Sequence, residues 1–544
     1  MTTKRKILRS ASVVALVTVV SRICGYVRDQ RVAFLLGTSP AADALVLAFR
    51  IPNLIRRMTG EGSFAASFVP VFTDYMRNEP PQRTWTFAQR VFWDMAAVLA
   101  VVTVVAVLFS RQLIASLTFL GGNHARWDLA VYLNHLIFPA VFFIGLAAVA
   151  TAILHSFQVF ALPAATPVFF NLALIACSFG IVYQPIVRWA PERFRSPAVA
   201  LAVGILAGGV IQFAMQVPAL VRRGMRFAAT FSTSDPGVRK VARLMVPSFF
   251  GHGVYQINLF VDTIFAASSR MPAGSIMSLY VADRVMQLVL GSYAIAMSTA
   301  LLPAMSHQMA AGKWEDVKHT FGFSLRIVSF ITIPAAVGLI LLRHPIIQVL
   351  FQHGQFATES TTLTSRALLY YSLGLPAFAA IKLITPMYYS TQDTWTPAWA
   401  GLCALMLNVG LNVSLMYLFG RALLNGSPAL ASAASAYMNF GLLFWLFRRR
   451  YGRLGMRRVT AALARMAASA AVMATVCWVA MRRLPFAMNG HLLAQAGWLA
   501  VVIAACVGVY FSLAWALRCE ELGDFFLLLK RAEPAAESLA GSAV

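Results

Sequence analysis

Residues 197–221 read PAVALAVGILAGGVIQFAMQVPALV and contain no charged side chain. A helix needs about 20 apolar residues to cross the hydrocarbon core of a bilayer, so this run predicts a transmembrane helix. On either side of it, further runs of similar length and composition follow one another along the chain. They are 91–110, 129–154, 163–183, 322–342, 366–387, 398–419, 428–447, 463–481 and 492–517.

The composition of the whole chain agrees with lipid as the solvent. Of its 544 residues, 59% are hydrophobic and 12% are charged, whereas a soluble chain has about 25% charged residues. Four more segments are long enough to span but less purely apolar: 10–36, 41–58, 243–268 and 275–303. The predicted fold is therefore an all-α polytopic membrane protein with about 14 transmembrane helices.

The basic residues indicate how the chain is oriented. Lys and Arg number 45 against 20 for Asp and Glu, a net charge of +25. Nucleic-acid binding is one explanation of such an excess, but these residues lie mostly between apolar runs, as in 222–243 and 448–458. Cytoplasmic loops of membrane proteins are rich in Lys and Arg, so both clusters are predicted to be cytoplasmic. An even number of helices then puts both termini in the cytoplasm. The membrane is predicted to be the inner membrane.

Cofactor sites are not indicated. The six cysteines are scattered without a C-x-x-C pair, and no group of His, Cys, Asp and Glu has the spacing of metal ligands. The sequence therefore predicts no metal, no cofactor and no disulfide framework. Prolines inside several of the runs predict kinks, which are tolerated where neighbouring helices or polar groups satisfy the freed backbone groups. They are Pro139, Pro247, Pro303, Pro334 and Pro376.

The chain repeats itself at an offset of about 234 residues, which predicts parallel repeats of six helices each. The matching pairs are Asp29 with Asp262, Arg50 with Arg284, Ser156 with Ser390, and Pro163 with Pro397. The predicted lobes are 1–224 and 238–450. Two extra helices in 459–518 and a cytoplasmic tail, 519–544, complete the chain.

The segment 21–62 places charges where lipid is expected. Its charged residues are Arg22, Arg28, Asp29, Arg31, Asp43, Arg50, Arg56, Arg57 and Glu61, and Asp262, Asp283 and Arg284 lie in the equivalent region of the second repeat. Each charge near the bilayer centre costs roughly 2.5–3.5 kcal/mol. These side chains must therefore face water or pair with one another, and the simplest arrangement is a central cavity lined by both repeats.

Two interpretations of these charges remain open at this stage. Arg22, Arg31 and Arg57 lie near predicted helix ends and are equally explained as anchors or internal salt bridges. Arg28 and Asp29 are able to form a local pair, and Asp43 to orient an arginine. Because arginines outnumber acids, however, pairing leaves positive charge over, and guanidinium groups suit a phosphate or diphosphate ligand.

Four motifs closely resemble the MurJ/MviN family of lipid II flippases, part of the multidrug/oligosaccharidyl-lipid/polysaccharide exporter superfamily. They are SRICGYVRD from residue 21, ADALVLAFRIPNLIRRMTGEGSFAASFVPVF from residue 42, YVADRVMQL from residue 280 and LFQHGQF from residue 350. The resemblance extends through about residue 530.

The resemblance implies an alternating-access carrier that moves an undecaprenyl-diphosphate-linked disaccharide pentapeptide from the cytoplasmic to the periplasmic leaflet, for peptidoglycan synthesis. It implies no enzymatic activity and says nothing about protein partners. The implied cavity residues are Arg22, Arg28, Asp29, Asp43, Arg50, Arg56, Arg57, Asp283 and Arg284. Gln287 stands where the family has an acidic residue, and the two extra helices resemble the family's groove for the polyprenyl tail.

Two rival functions are considered. One is an exporter of another polyprenyl-linked glycan, which the same basic cavity also suits. The other is a membrane-embedded transferase acting on such a lipid, which requires carboxylates for metal or base chemistry. The chain has neither a D-D or D-x-D cluster nor a long soluble loop, so the carrier is favoured.

Overall fold

The computed structural model describes most of the chain, and the account below concerns these residues. They are 3–60, 63–121, 127–231, 235–391, 393, 395–452, 456–483 and 491–525. Within them the regular secondary structure is all helical, with turns and short irregular segments between the helices and no β-strand. The prediction of an all-α protein is confirmed for this part of the chain.

The chain divides into two compact units. The first consists of residues 1–269, 273–277 and 353–356, and the second of residues 270–272, 278–352 and 357–544. The helices of the first unit are α1 Thr3–Leu36, α2 Pro40–Gly60, α3 Ser63–Asn78, α4 Pro81–Leu108, α5 Ser110–Leu117, α6 Asp128–Ile137, α7 Pro139–Ser156, α8 Ala161–Ala176, α9 Gly180–Trp189, α10 Pro197–Ala214, α11 Val217–Val221 and α12 Pro236–Ala266.

The second unit contains the remaining long helices. They are α13 Ser275–Ala310, whose first three residues belong to the first unit, α14 Trp314–Phe351, α15 Thr358–Ser390, α16 Trp395–Leu423, α17 Ser427–Tyr451, α18 Met456–Arg483 and α19 Leu492–Ala516. The lobes expected from the sequence repeat, 1–224 and 238–450, stay a prediction.

The apolar runs are helices long enough to cross a membrane. Nine helices in the described ranges meet this criterion by length and composition, or ten if α8 and α9, bent by 73°, form one span. These are the ten runs found in the sequence. The four less apolar segments are also helical, within α1, α2, α12 and α13. Their crossing of the membrane, and the total of 14, stay predictions.

Aromatic packing holds α3 in the first unit. Phe64, Phe68 and Phe72 recur every four residues and therefore lie on one face of the helix. All three are buried, and the rings of Phe68 and Phe87 of α4 stack with centroids 5.9 Å apart. The aromatic face of α3 is thus covered by protein.

The turn between α1 and α2 requires glycine. Gly37 has a φ of 56°, and a Cβ atom there would lie 2.3 Å from the carbonyl oxygen of Gln355. Gly274 has a φ of 85°, and its Cβ would lie 2.2 Å from the carbonyl oxygen of Thr38. Because glycine has no Cβ, both backbones pack directly against neighbours within the first unit and fix the ends of α1 and α2.

Candidate functional site

Arg28 lies at the centre of a polar cluster in the first unit. Its Nη2 donates to Asp29 Oδ1 at 2.6 Å, and its Nη1 donates to Asn171 Oδ1 of α8 at 2.9 Å. Asn171 in turn donates to the carbonyl oxygen of Ser21 at 3.2 Å. We call Arg28, Asp29 and Asn171 the arginine cluster. It holds the guanidinium group of Arg28 in a fixed orientation.

Burial makes the arginine cluster electrostatically strong. The side chain of Arg28 is 16% exposed and that of Asp29 is 9% exposed. Charges interact more strongly away from bulk water, and a charge-assisted hydrogen bond is roughly twice as strong as a neutral one. The local pair considered from the sequence is therefore formed, and an uncharged amide from another helix joins it.

The other arginines expected near helix ends have different surroundings. Arg31 donates to the hydroxyl and carbonyl oxygens of Ser178, and its guanidinium lies between the rings of Phe34 and Phe179, at 4.7 and 4.9 Å. These contacts support an anchoring role for Arg31. The expectation that Arg22 lies near a helix end is wrong, because it lies in the middle of α1 and is exposed there. The side chain of Arg57 lies outside the described residues.

Helix α2 carries two more of the predicted site residues. Arg56 donates from Nε and Nη2 to Asn53 Oδ1, at 3.1 and 2.9 Å, one turn earlier on the same helix. Arg50 and Arg56 are both half-buried. The amide of Asn53 therefore orients the guanidinium of Arg56, as the amide of Asn171 orients that of Arg28.

Asp43 has a structural task. Its side chain is buried, with Oδ2 accepting from the backbone N–H of Gly274 at 2.7 Å and Oδ1 from that of Met277 at 2.9 Å. The first N–H groups of a helix have no partner within the helix, and a carboxylate satisfies them and complements the helix dipole. Asp43 thus caps the start of α13, the helix on which Arg284 lies.

In the second unit, Asp283 and Arg284 each have a neighbour one turn away. The amide of Gln287 donates to the buried carboxylate of Asp283. Arg284 is half-buried, donates to the hydroxyl of Tyr280 at 3.2 Å, and lies over its ring at 4.9 Å. Gln287, which stands where the resemblance implied an acidic residue, therefore has a role as a hydrogen-bond donor to Asp283. A second carboxylate at this position would repel that of Asp283.

The second unit also contains an apolar cavity of about 350 Å³. It is lined mainly by α14 and α19, and its lining residues are Val289, Phe330, Ile331, Pro334, Ala335, Gly338, Leu339, Leu342, Ile346, Met473, Ile503, Cys506, Val507, Tyr510, Phe511 and Phe525. No charged side chain is among these residues. An apolar lining of this size suits a hydrocarbon chain and no charged ligand.

A proline helps to build this cavity. Pro334 has no N–H to donate to the carbonyl group of Phe330, four residues earlier in α14. The hydroxyl of Tyr510 donates to that oxygen at 3.0 Å instead. A side chain of a neighbouring helix therefore satisfies the carbonyl group freed by Pro334, and the bond joins α14 to α19.

Outside the membrane-spanning segments, one carboxylate is strongly held. Burial by itself would raise the pKa of Asp235, but hydrogen bonds from Arg90 and from the backbone N–H groups of Gly237 and Val238 outweigh it. The pKa of Asp235 is therefore lowered. Arg90 Nη1 lies 2.7 Å from Asp235 Oδ2, so this carboxylate joins α4 to the start of α12.

Metal ligands are not gathered in the part of the chain that the structure describes, where no group of three or more His, Cys, Asp and Glu side chains is close enough to hold an ion. The site is thus built from arginines, aspartates and amides.

The fold matches solved transporter structures. A chain described as "Lipid II flippase MurJ, inward closed conformation" aligns with a TM-score of 0.75 at 24% identity, covering 92% of this chain and 97% of the other. An inward-facing MATE family transporter of the MOP superfamily aligns with a TM-score of 0.63 at 15% identity, covering 79% and 95%. The fold is that of a multi-span membrane protein.

The sequence comparisons give the family. Residues 32–496 match the family described as "Lipid II flippase MurJ". A probable lipid II flippase of Vibrio cholerae is 36% identical over 451 residues, covering 81% of this chain and 83% of that protein. One of Rhizobium tropici is 32% identical over 528 residues, covering 96% of each. The chain belongs to the MurJ family of lipid II flippases, which places it among transporters and in the bacterial inner membrane.

Three residues that contact the predicted site were missed from the sequence. Asn171, Asn53 and Tyr280 all contact a predicted site arginine. An asparagine inside the apolar run 163–183 is itself a signal, because an amide in lipid needs a partner. Asn53 and Tyr280 stand three and four residues before their arginines, so helical spacing also points to them.

Proposed function

We propose that this lipid II flippase works by alternating access, moving the head group of the lipid from the cytoplasmic to the periplasmic leaflet while the polyprenyl tail stays in hydrocarbon. The observation that carries the proposal is the arginine cluster. A guanidinium group held by Asp29 and Asn171 at 16% exposure is suited to an anionic group that must leave water.

Arg28 and Arg56 of the first unit and Arg284 of the second are proposed to bind the diphosphate, each at some stage of the transport cycle. Charge balance supports this assignment. The segment from Arg22 to Arg57 contains six arginines and two aspartates. A segment with this surplus of cations is stabilised by a bound anion.

The remaining residues of the predicted site fall into two groups, those with contacts that support a positioning role and those whose role stays a prediction. Asp29 orients Arg28, and Asp43 caps α13, so both are proposed to position arginines. Asp283, with Gln287, is proposed to do the same beside Arg284. Arg22, Arg50 and Arg57 stay predictions.

The apolar cavity is proposed to take part of the polyprenyl tail. Its lining carries no charge, so a hydrocarbon chain that moves into it from lipid goes from one apolar environment to another and pays no desolvation cost. Both termini are proposed to be cytoplasmic, because the basic loops then lie inside. An inside-negative membrane potential would then help to expel the anionic head group, by roughly 2.3 kcal/mol per charge per 100 mV.

The experiment is a flipping assay in liposomes. Fluorescent lipid II is placed in both leaflets, and a membrane-impermeant quencher reports how fast the inner pool becomes accessible. The protein should accelerate this exchange, and Arg28→Ala should return it to the rate of protein-free liposomes. The rival function, export of another polyprenyl-linked glycan, is tested with an undecaprenyl diphosphate that carries an unrelated sugar. Equal flipping rates for this lipid and for lipid II would support the rival function. Acceleration by Arg28→Ala equal to that by the wild type would contradict the assigned anion site.

A further inference from the structure

The chain turns sharply after α19 and packs back on the second unit. Arg518 has a φ of 50°, in the left-handed region, and the N–H of Cys519 donates to the carbonyl oxygen of Ala514 at 2.8 Å. Arg465 of α18 donates to the carbonyl oxygen of Arg518 at 2.8 Å. Residues 520–525 are helical again. We call residues 519–525 the C-terminal segment.

An ion pair holds the C-terminal segment on α14. Arg326 Nη1 lies 2.8 Å from Glu521 Oε1 and 3.1 Å from Glu520 Oε2. The two glutamates differ greatly in burial, since the side chain of Glu521 is 2% exposed and that of Glu520 is 75% exposed. A buried carboxylate is stable only with a partner, so Arg326 and Glu521 fix the position of the segment, and Glu520 contributes little.

The same segment contributes a wall to the apolar cavity. Phe525 is four residues after Glu521, one helical turn away on the same face. Its ring centroid lies 5.8 Å from that of Phe511 and 6.3 Å from that of Phe330, and its side chain lines the cavity with them. The position of Glu521 therefore determines the position of Phe525.

We propose that Arg326 and Glu521 are positioning residues that hold Phe525 as one end wall of the apolar cavity, and thereby set how the substrate's hydrocarbon tail lies in it. This proposal rests on the proposed function, because it assumes that the tail enters the cavity. It assigns a task to an ion pair whose two residues are not among those that line the apolar cavity. Releasing the pair would detach the wall while leaving the head-group arginines unchanged.

The test compares two matched glutamate variants. Glu521→Gln removes the buried charge, whereas Glu520→Gln removes the exposed charge that meets the same arginine. Purified full-length proteins are first treated with a thiol reagent, and labelling of Cys519, which is 5% exposed, is followed by mass spectrometry. Cys519 should be labelled faster in Glu521→Gln, with Glu520→Gln unchanged from the wild type.

The second measurement is affinity for undecaprenyl phosphate and for its short-tailed analogue, farnesyl phosphate. Glu521→Gln should bind undecaprenyl phosphate about tenfold more weakly, since part of the apolar contact is lost. Farnesyl phosphate, with little tail to place, should bind all variants alike. Phe525→Ala keeps the ion pair and should weaken undecaprenyl phosphate binding to a similar extent, with Cys519 labelling unchanged.

The outcomes separate this proposal from the proposed function. Equal Cys519 labelling in the two glutamate variants, or wild-type affinity for undecaprenyl phosphate in Phe525→Ala, would overturn the role of the C-terminal segment alone. If the wild type does not distinguish undecaprenyl from farnesyl phosphate, the tail site itself is wrong, and the role of the wall falls with it. Flipping of lipid II by the wild type would still stand in that case.

Discussion

The arginine cluster of the first unit and the apolar cavity of the second differ in how much each side chain depends on its neighbours. In the arginine cluster, a charge is held by an ion pair and an amide from another helix. In the apolar cavity, the hydroxyl of Tyr510 donates to the backbone carbonyl group that Pro334 leaves without a helical donor, and no charged side chain lines the cavity. Substitutions in the two regions should therefore affect substrate binding in different ways.

The difference corresponds to the two parts of the substrate. A charged head group has to be taken from water, which requires fixed donors whose geometry is set in advance. A hydrocarbon tail moves from one apolar surrounding to another and requires only space. We expect single substitutions in the arginine cluster to have large effects, and substitutions in the cavity to have effects that depend on volume.

The largest effect is expected for Arg28→Ala. It removes the guanidinium group that is proposed to bind the diphosphate, so head-group affinity should fall about 100-fold, a loss of roughly 3 kcal/mol. Affinity for lipid II is measured on purified protein. Arg83→Ala, which removes an exposed arginine paired with Glu79, should leave affinity unchanged. A loss in both variants would show that general charge matters more than the arginine cluster.

Filling the cavity should have a smaller effect. Gly338 lines the cavity, and a Cβ there would meet nothing within 4 Å, so Gly338→Leu places a side chain in the space of the tail. Lipid II affinity should fall about tenfold through displaced apolar contact. Thermal stability should stay the same or rise, because glycine is a poor helix former.

Gly410→Leu is the control for that substitution. Gly410 lies within α16, away from the cavity lining, and a Cβ there also meets nothing within 4 Å. It should give the same change in stability with wild-type affinity. Equal loss of affinity in both variants would contradict the tail site.

Asp43→Asn should reduce stability more than binding. The amide replaces one of the two carboxylate oxygens that accept from Gly274 and Met277 by a donor, so the free energy of unfolding should fall by about 1–3 kcal/mol. The melting temperature in detergent measures this. Lipid II affinity should remain within about threefold of the wild type, a difference below 1 kcal/mol. A loss of affinity at unchanged stability would make Asp43 a direct ligand.

The smallest effect is expected from acid. The pKa of Asp235 is lowered in the folded state, so its contribution to stability is complete well above 3.8 and is lost as the pH falls through the folded pKa. The melting temperature of the wild type should therefore decrease below about pH 4. Asp235→Asn should show a shallower decrease, with a loss of about 1 kcal/mol at neutral pH because the ion pair with Arg90 is removed. Parallel pH profiles would exclude Asp235 as a contributor.

Much of the site was predictable because its residues are close in sequence. The Arg28–Asp29 pair involves adjacent residues, and Asn53 precedes Arg56 by one helical turn. Asn171, by contrast, lies 143 residues from Arg28, and Gly274 lies 231 residues from Asp43. Helical periodicity carries no information about such partners, so the structural task of Asp43 was not visible in the sequence.

The sequence by itself determined the environment and the class of this protein. Runs of about 20 apolar residues are stable as helices within the lipid bilayer, and charged residues among them require water or partners. Only the tertiary structure decided which partner each charge has, since Asn171, Gly274 and Arg326 reach their partners from other helices. It also decided where the apolar cavity lies, because Phe330, Phe511 and Phe525 meet only when α14, α19 and the C-terminal segment pack together.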